Sequence, residues 1–212
     1  EMKMLCDVNY DVFSFMKDNK RVFGFLVGYK EDEVTIPSLW KTVEEFLAQN
    51  SVIDTTKGNL AHFTQKGLGL PEDGRANCAF YRDVEIGDLD FFRHDATYRA
   101  FVEHIDQSNG IYYEKWSDSL LKGIGLSLTN AWDKLHLFSD IGYSTSHSVV
   151  QLCPLDASVR RNGRCNCDGK QSVLWNPKYC THRCFILNDL KRPDGWEEAM
   201  NRGLKAPSAF EE

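Results

Sequence analysis

Two carboxylates stand beside dense groups of aromatic residues, and their side chains are the ones in this sequence best suited to acid, base or nucleophilic chemistry. Glu85 opens the segment Glu-Ile-Gly-Asp-Leu-Asp-Phe-Phe-Arg, and Asp118 closes the segment Tyr-Tyr-Glu-Lys-Trp-Ser-Asp. A carboxylate that lies partly out of water beside apolar rings has an altered proton affinity and can act as a catalytic group. The stretch from 78 to 118 is therefore the candidate functional region.

Each carboxylate also has a structural interpretation that the sequence leaves open. Asp118 precedes an apolar helical period at Leu121, Ile124 and Leu128, so it could be the N-cap of a helix. Glu85 could lie in an exposed turn, where acidic residues are common. Structural ion pairs also shift the pKa of a carboxylate, so residue type and spacing do not decide between a structural and a catalytic role.

The elements around these acids follow from hydrophobic spacing. Tyr98, Phe101, Val102 and Ile105 recur at the period of a helix with one buried face, which predicts scaffold between the two acidic segments. The apolar run 21–29 predicts one strand buried on both faces, and 135–143 predicts another. Further predictions are a short helix over 11–18, a helix that Pro37 opens with a buried stripe of Leu39, Trp40, Val43, Phe46 and Leu47, and a long irregular connection over 50–77.

Alternating strands and helices predict a mixed α/β architecture. The 212 residues are 42% apolar and 26% charged, as in ordinary globular proteins. A net charge of −6 argues against nucleic acid as the main partner. The sequence has no apolar run near the roughly 18 residues that span a bilayer, and nothing at Glu1 resembles a signal peptide. We therefore expect either a cytosolic protein or a chain that begins after its targeting segment.

The cysteines indicate the compartment. Five of the seven lie in the last third of the chain, at Cys153, Cys165, Cys167, Cys180 and Cys184. Secreted and lumenal proteins use such clusters as disulfides, whereas a zinc site, with His182 as a spare ligand, is the alternative. The Cys-x-Cys spacing suits structural zinc poorly, so disulfides are favoured, and we expect at least two bridges among these five residues. The odd total leaves one cysteine free or paired outside the chain.

Several longer motifs resemble one known family over most of the chain and in the same order. The sequence is similar to the fungal Golgi α-1,2-mannosyltransferases, glycosyltransferase family 15, at 6–13, 35–40, 85–93, 112–118, 140–143, 179–184 and 192–196. The resemblance implies that 1–150 is the C-terminal part of a GT-A-like catalytic domain and that 151–212 is a cysteine-rich loop tail packed on it. It also implies a type II Golgi membrane protein whose anchor lies upstream of this chain.

The resemblance further implies a reaction and the residues that perform it. Family members use GDP-mannose and a divalent cation, usually manganese, and transfer mannose with retention to a terminal mannose of an N-linked, O-linked or lipid-linked glycan. Glu85 matches the family's proposed nucleophile, and Asp118 matches an active-site acid. The aromatics that follow the helix, Tyr112, Tyr113 and Trp116, could be core residues or could form an acceptor-binding platform for sugar rings.

Departures from the family pattern favour a competing interpretation. Glu1 matches only the final acid of the family's metal motif, and Thr145 stands where the family has a metal-binding histidine, with His147 two positions late. Lys122 replaces a family histidine, and Asp83 with Val84 replaces Asn-Phe. Hydroxyl groups are poor substitutes for imidazole toward manganese. A non-catalytic paralogue or fragment that binds glycans or partners is therefore the alternative, and we expect the 212-residue chain alone to be catalytically silent.

Overall fold

The computed structural model describes residues 2–53, 77–81, 83–129, 131–145, 151–173, 179–181 and 197–198. Helices and strands alternate along these residues, which confirms the predicted mixed α/β class. In chain order they are β1 (Met2–Met4), α1 (Val12–Asp18), β2 (Phe23–Phe25), β3 (Gly28–Lys30), α2 (Leu39–Gln49), β4 (Cys78–Phe80), β5 (Glu85–Gly87), α3 (Leu89–His94), α4 (Ala96–Ser108), α5 (Gly110–Tyr113), α6 (Asp118–Leu128), β6 (Leu135–Leu137), β7 (Tyr143–Thr145), β8 (Gln151–Leu152) and α7 (Ala157–Asn162). None of the described helices is long and apolar enough to cross a membrane.

The described strands form three small sheets. β2 lies between β5, with which it pairs antiparallel, and β6, with which it pairs parallel. β7 lies between β1 and β8, and β3 pairs with β4. The single strand predicted over 21–29 is wrong, because the run divides into β2 and β3, which belong to different sheets. The strand predicted over 135–143 also divides, since a turn at 139–140 separates β6 from β7.

Two hydrophobic clusters hold these elements together. One surrounds β2, where Phe23 and Phe25 are 1% and 2% exposed. The other joins α2, α4 and α6 through Phe46, Phe101 and Ile124. Truncating one such buried phenylalanine to alanine costs about 3–5 kcal/mol. The second cluster packs α6 against β4 through Ala79, and the first cluster includes Leu126 of α6 beside β2.

Two predicted helix details need correction. In α4, Phe101 and Ile105 are buried, but Val102 is 47% exposed, so the predicted apolar face is narrower than its spacing indicates. In α2, the first helical residue is Leu39 and Ser38 is the N-cap, so Pro37 lies outside the helix. The Ser38 amide donates to Glu114 at 3.1 Å, which anchors the helix start one residue after the proline.

Three disulfides confirm the predicted use of cysteine. They join Cys6 to Cys165, Cys78 to Cys180 and Cys153 to Cys167. The expectation of at least two bridges within the tail is wrong, because only the last of these lies wholly within it. Backbone hydrogen bonds from 166 to 5 (2.8 Å) and from 7 to 163 (2.7 Å) hold the tail against the N-terminal segment, which brings distant cysteines together. His182 and Cys184 lie outside the described residues.

The cross-links favour one structural unit for the described residues up to 181. Two of the three disulfides join cysteines 159 and 102 residues apart, so they connect segment 151–181 to the body. A disulfide that closes a long loop stabilises a small domain by about 2–5 kcal/mol. The division into a catalytic part, 1–150, and a packed tail, 151–212, stays a prediction.

Candidate functional site

Glu85 is the first residue of the edge strand β5 and lies opposite Phe25 of β2. Its Oε1 atom accepts an ion-paired hydrogen bond from Nζ of Lys122, a residue of α6. The two side chains are only 26% and 18% exposed. The second oxygen, Oε2, is buried and has no hydrogen-bond partner among the described residues. One oxygen of the Glu85 carboxylate therefore has a hydrogen-bond partner and the other has none among the described residues. Glu85 is not the exposed turn residue that the sequence also allowed.

Lys122 is held from both sides. Its ammonium group lies 5.6 Å from the centroid of the Phe23 ring, within the range of a cation–π contact. The helix that carries it has eight of its eleven residues buried, so its backbone is fixed by packing. Sequence analysis identified Lys122 only as a departure from the family pattern. The signal that was missed is its positive charge, which complements the strongest candidate carboxylate.

Asp118 and Tyr98 are the other two polar residues of the group around Glu85. Asp118 is the exposed first residue of α6, one turn before Lys122, and Ser117 is the N-cap, so the N-cap alternative for Asp118 is wrong. A carboxylate in the first turn of a helix is stabilised by the helix dipole. Burial, followed by the nearby charges of Glu85 and Asp118, raises the pKa of Tyr98 to about 12. The Tyr98 phenol therefore stays neutral near pH 7 and can donate a hydrogen bond.

A cavity of about 580 Å³ opens beside this group. α3, α4 and α6 supply its apolar wall through Phe92, Val102 and Leu121. Tyr98, Asp118 and Lys122 line the same cavity. The sheet edge and α6 therefore bring together two predicted catalytic acids, a lysine and a neutral phenol beside a concave apolar surface, which is the usual character of a small-molecule site.

The predicted aromatic platform is only partly available. Trp116 is 4% exposed, and its indole packs so closely on Gly110 that a Cβ atom there would overlap it. This burial favours the core alternative for Trp116 over a place in the sugar-binding platform. Tyr112 and Tyr113 are 71% and 88% exposed, and their assignment to acceptor binding stays a prediction.

Glu114 is a structural carboxylate that sequence analysis did not identify. It accepts hydrogen bonds from the Ser38 hydroxyl (2.7 Å), the Ser38 amide (3.1 Å) and Nε1 of Trp116 (2.6 Å). Desolvation acts to raise the pKa of Glu114, but these hydrogen bonds outweigh it and lower the pKa from its ordinary value. Glu114 therefore joins the start of α2 to the segment before α6.

The region of the expected metal ligands has a different chemistry. Tyr143 donates a 2.5 Å hydrogen bond to Asp83, and burial together with this carboxylate raises the pKa of the Tyr143 phenol. Thr145 ends β7, opposite Met2 of β1. Within the described ranges, the one group of three closely spaced metal-type ligands is Cys6, Cys165 and Cys167, whose sulfurs are all in disulfides.

The described residues therefore do not fit a manganese site. Thr145 offers a hydroxyl where the resemblance implies an imidazole, and the sulfurs of the three-cysteine group are already bonded. Glu1 and His147, the other residues that the resemblance connects with a metal, lie outside the described residues.

Comparison with known proteins gives consistent matches. A family model described as glycolipid 2-alpha-mannosyltransferase matches residues 1–189. The chain is 36% identical to glycolipid 2-alpha-mannosyltransferase 1 of Candida albicans, over 93% of this chain and 44% of that protein. It is also 36% identical to alpha-1,2 mannosyltransferase KTR1 of Saccharomyces cerevisiae, over 93% of this chain and 48% of that protein. The chain thus spans about half the length of these relatives.

Solved structures agree with the sequence matches. Core-mannan synthase A from Aspergillus fumigatus, in its Mn/GDP form, superposes with a TM-score of 0.73 and 32% identity, over 87% of this chain and 50% of that one. The mannosyltransferase Ktr4p from S. cerevisiae in complex with GDP gives a TM-score of 0.75 and 27% identity, over 90% and 49%. These superpositions confirm the predicted GT-A-like glycosyltransferase class.

Proposed function

Because the chain belongs to the glycolipid 2-alpha-mannosyltransferase family, we propose that it carries the nucleophile-bearing part of a retaining α-1,2-mannosyltransferase. The donor in this proposal is GDP-mannose, and the acceptor is a terminal mannose of a glycoprotein or lipid-linked glycan. The names of the sequence relatives and the GDP in two related structures support this reaction class. The activity belongs to the protein at its full natural length.

The observation that carries the proposal is the unsatisfied carboxylate of Glu85. A buried acceptor without a partner costs about 1–3 kcal/mol, so such an atom calls for an explanation, and a role in binding or catalysis is one. Oε2 of Glu85 is such an atom. Glu85 and Asp118 both lie close enough to Tyr98 to raise the pKa of its phenol. A carboxylate near the anomeric carbon is the group that a retaining transfer requires.

The proposed chemistry assigns one role to each side chain. The Glu85 carboxylate forms a bond to the anomeric carbon of the donor mannose as the bond to the GDP oxygen breaks. In the second step the acceptor 2-hydroxyl attacks the same carbon, its proton leaves, and the Glu85 oxygen departs. Two displacements on opposite faces restore the original configuration. Asp118 binds the acceptor or receives its proton, and the neutral phenol of Tyr98 donates a hydrogen bond to a sugar hydroxyl.

A divalent ion enters this proposal only as a requirement of the complete protein. A related structure contains manganese and GDP. The resemblance implies manganese here as well, and it would need ligands beyond the described residues. We therefore assign no step of the reaction to the metal.

Redox chemistry supports the proposed compartment. Three disulfides are typical of proteins that fold in an oxidising compartment. With the family membership they support location in the Golgi lumen, with a type II membrane anchor in the full-length protein.

The test is a Glu85→Gln variant of the protein expressed at its full natural length. Gln keeps the shape of the side chain and removes its charge, so we expect kcat for mannosyl transfer from GDP-mannose to fall by roughly 10³-fold or more. Glu45→Gln, an exposed change on α2, is the matched control and should leave kcat unchanged. Unchanged transfer by the Glu85 variant would remove Glu85 as nucleophile. A wild-type protein that binds mannosides without transferring mannose would instead support the non-catalytic alternative.

A further inference from the structure

We propose that Lys122 is a positioning residue that holds the Glu85 carboxylate in its reactive orientation. This inference rests on the proposed function, because it concerns the same carboxylate. It assigns to Lys122 a role in kcat rather than in substrate binding. The partner that it positions is the nucleophile of a mannosyl transfer, 37 residues away in the sequence.

The first supporting observation is the asymmetry of the Glu85 carboxylate. Lys122 holds Oε1, whereas Oε2 has no partner among the described residues. One charge-assisted contact thus fixes the rotation of the carboxyl group about its terminal bond and leaves the other oxygen unsatisfied. A structural ion pair in a fold interior normally uses both oxygens, since each unmet acceptor is costly. The partner that the described residues do not supply is consistent with a ligand atom.

The second observation is that Lys122 is itself immobilised. Its stem leaves the buried helix α6, and its ammonium lies over the Phe23 ring. An ion pair of an exposed lysine stabilises a protein little, because ordering the side chain costs entropy and solvent screens the charges. Lys122, at 18% exposure, has lost much of that freedom through folding, so it can define the direction of the bond to Glu85.

The third observation connects Lys122 to the cavity. Among the described residues that line the 580 Å³ cavity, Lys122 is the one that donates to Glu85. Asp118 lines the same cavity one helical turn earlier. A sugar that contacts Asp118 therefore lies beside the Lys122–Glu85 pair. Misplacement of a reacting group by about 1 Å can cost about 10²-fold in rate, which sets the scale of the expected effect.

The experiment compares Lys122→Met and Lys122→Arg in the protein at its full natural length. Met keeps the apolar stem and removes the charge, so we expect kcat to fall by roughly 10- to 100-fold while KM changes by less than about threefold. Arg retains a cation that can hold Oε1 and should restore at least about a third of the wild-type kcat. Lys115→Met, a change at an exposed lysine outside the cavity, is the control and should leave both constants unchanged.

Each outcome bears on the proposal. Wild-type kcat in the methionine variant would overturn it, as would equal losses in the Met and Arg variants. A methionine variant in which kcat falls and KM rises by similar factors would assign Lys122 to substrate binding instead. If Glu85→Gln is inactive but Lys122→Met is fully active, only the positioning role fails, whereas an active Glu85→Gln protein refutes the proposed function itself.

A second readout does not depend on activity. In ¹⁵N NMR spectra of side-chain amines, Lys122 should give a hydrogen-bonded ammonium signal that Glu85→Gln shifts and that Glu45→Gln leaves in place. The same signal should broaden or disappear when Phe23 is changed to Leu, because the ring helps to fix the amine, and an unchanged signal would contradict that immobilisation. A Lys122 signal identical in the wild type and Glu85→Gln would show that the two side chains are not paired in solution, which would overturn the proposal.

Discussion

Glu85 and Glu114 lie in sequence surroundings that look alike, and the fold uses them in opposite ways. Each is a partly buried glutamate in a segment that also carries aromatic residues. Glu114 uses both oxygens, receiving two hydrogen bonds from Ser38 and one from Trp116. Glu85 uses one oxygen, toward Lys122, and its other oxygen is buried with no partner among the described residues. The first arrangement is complete without a ligand, and the second is not.

The difference separates a structural carboxylate from a candidate catalytic one. A fully bonded carboxylate stabilises the fold through hydrogen bonds that its charge strengthens. A half-bonded one keeps an acceptor at a cost in stability. Loss of charge at Glu114 should therefore reduce stability, whereas loss of charge at Glu85 should reduce activity.

Of the two glutamates, Glu114 is where loss of charge should reduce stability most. Glu114→Gln keeps the shape but presents an amide nitrogen to donors of Ser38 and Trp116, so we expect a loss of roughly 1.5–3 kcal/mol, the scale of one hydrogen bond to a charged group. Urea unfolding followed by tryptophan fluorescence measures it. Glu103→Gln, on the exposed side of α4, is the control and should change stability by less than about 0.5 kcal/mol. Equal stability of the wild type and Glu114→Gln would contradict the structural role.

A smaller effect should appear as the pH dependence of that stability difference. The pKa of Glu114 is lower in the folded state than in the unfolded state. The contribution of Glu114 to folding stability is therefore present above the unfolded pKa of about 4.3, and it is lost as the pH falls through the folded pKa. The wild type should therefore exceed Glu114→Gln in stability at pH 6, and the gap should shrink below about pH 4. A gap that stays constant from pH 6 to pH 3 would argue against a charge-dependent role.

The smallest predicted effect is on Tyr98, whose phenol reports the charge of the Glu85 site. Burial is the main reason that its pKa is about 12, and Glu85 is the next. Glu85→Gln should lower this pKa part of the way toward the ordinary value of about 10, and Asp118→Asn should lower it less. Since the folded pKa is raised, the phenol's contribution to stability is intact below about pH 10 and declines as pH rises toward 12. NMR of ¹³C-labelled tyrosine, with Tyr98→Phe to assign the signal, measures the shift.

Sequence analysis predicted the helices better than the strands, for physical reasons. The apolar period that predicts α4 is a local signal, and that helix and the short helix predicted over 11–18 both form. The run 21–29 is buried on both faces, so it lacks the alternation that would show where β2 ends and β3 begins in another sheet. The class of fold therefore followed from the sequence, but the division into sheets did not.

The site was predictable only in part for a similar reason. Glu85 and Asp118 were identified from residue type and resemblance, but the ion pair with Lys122 is a tertiary contact that no local pattern encodes. The same holds for Glu114, whose partner Ser38 lies 76 residues away. Trp116 was equally ambiguous, since an aromatic residue beside an acid suits a core as well as a sugar platform. Only its packing on Gly110 decides.

The most direct test of the central claim measures kcat and unfolding free energy for Glu85→Gln and Glu114→Gln side by side, in the protein at its full natural length. We expect Glu85→Gln to lose roughly 10³-fold in kcat while its unfolding free energy stays within about 1 kcal/mol of the wild type. We expect Glu114→Gln to show the reverse, with transfer per folded molecule unchanged and stability reduced by roughly 1.5–3 kcal/mol. An active Glu85→Gln protein, or a Glu114→Gln protein that folds normally but cannot transfer mannose, would contradict the assignment of Glu85 as the nucleophile and Glu114 as the structural acid.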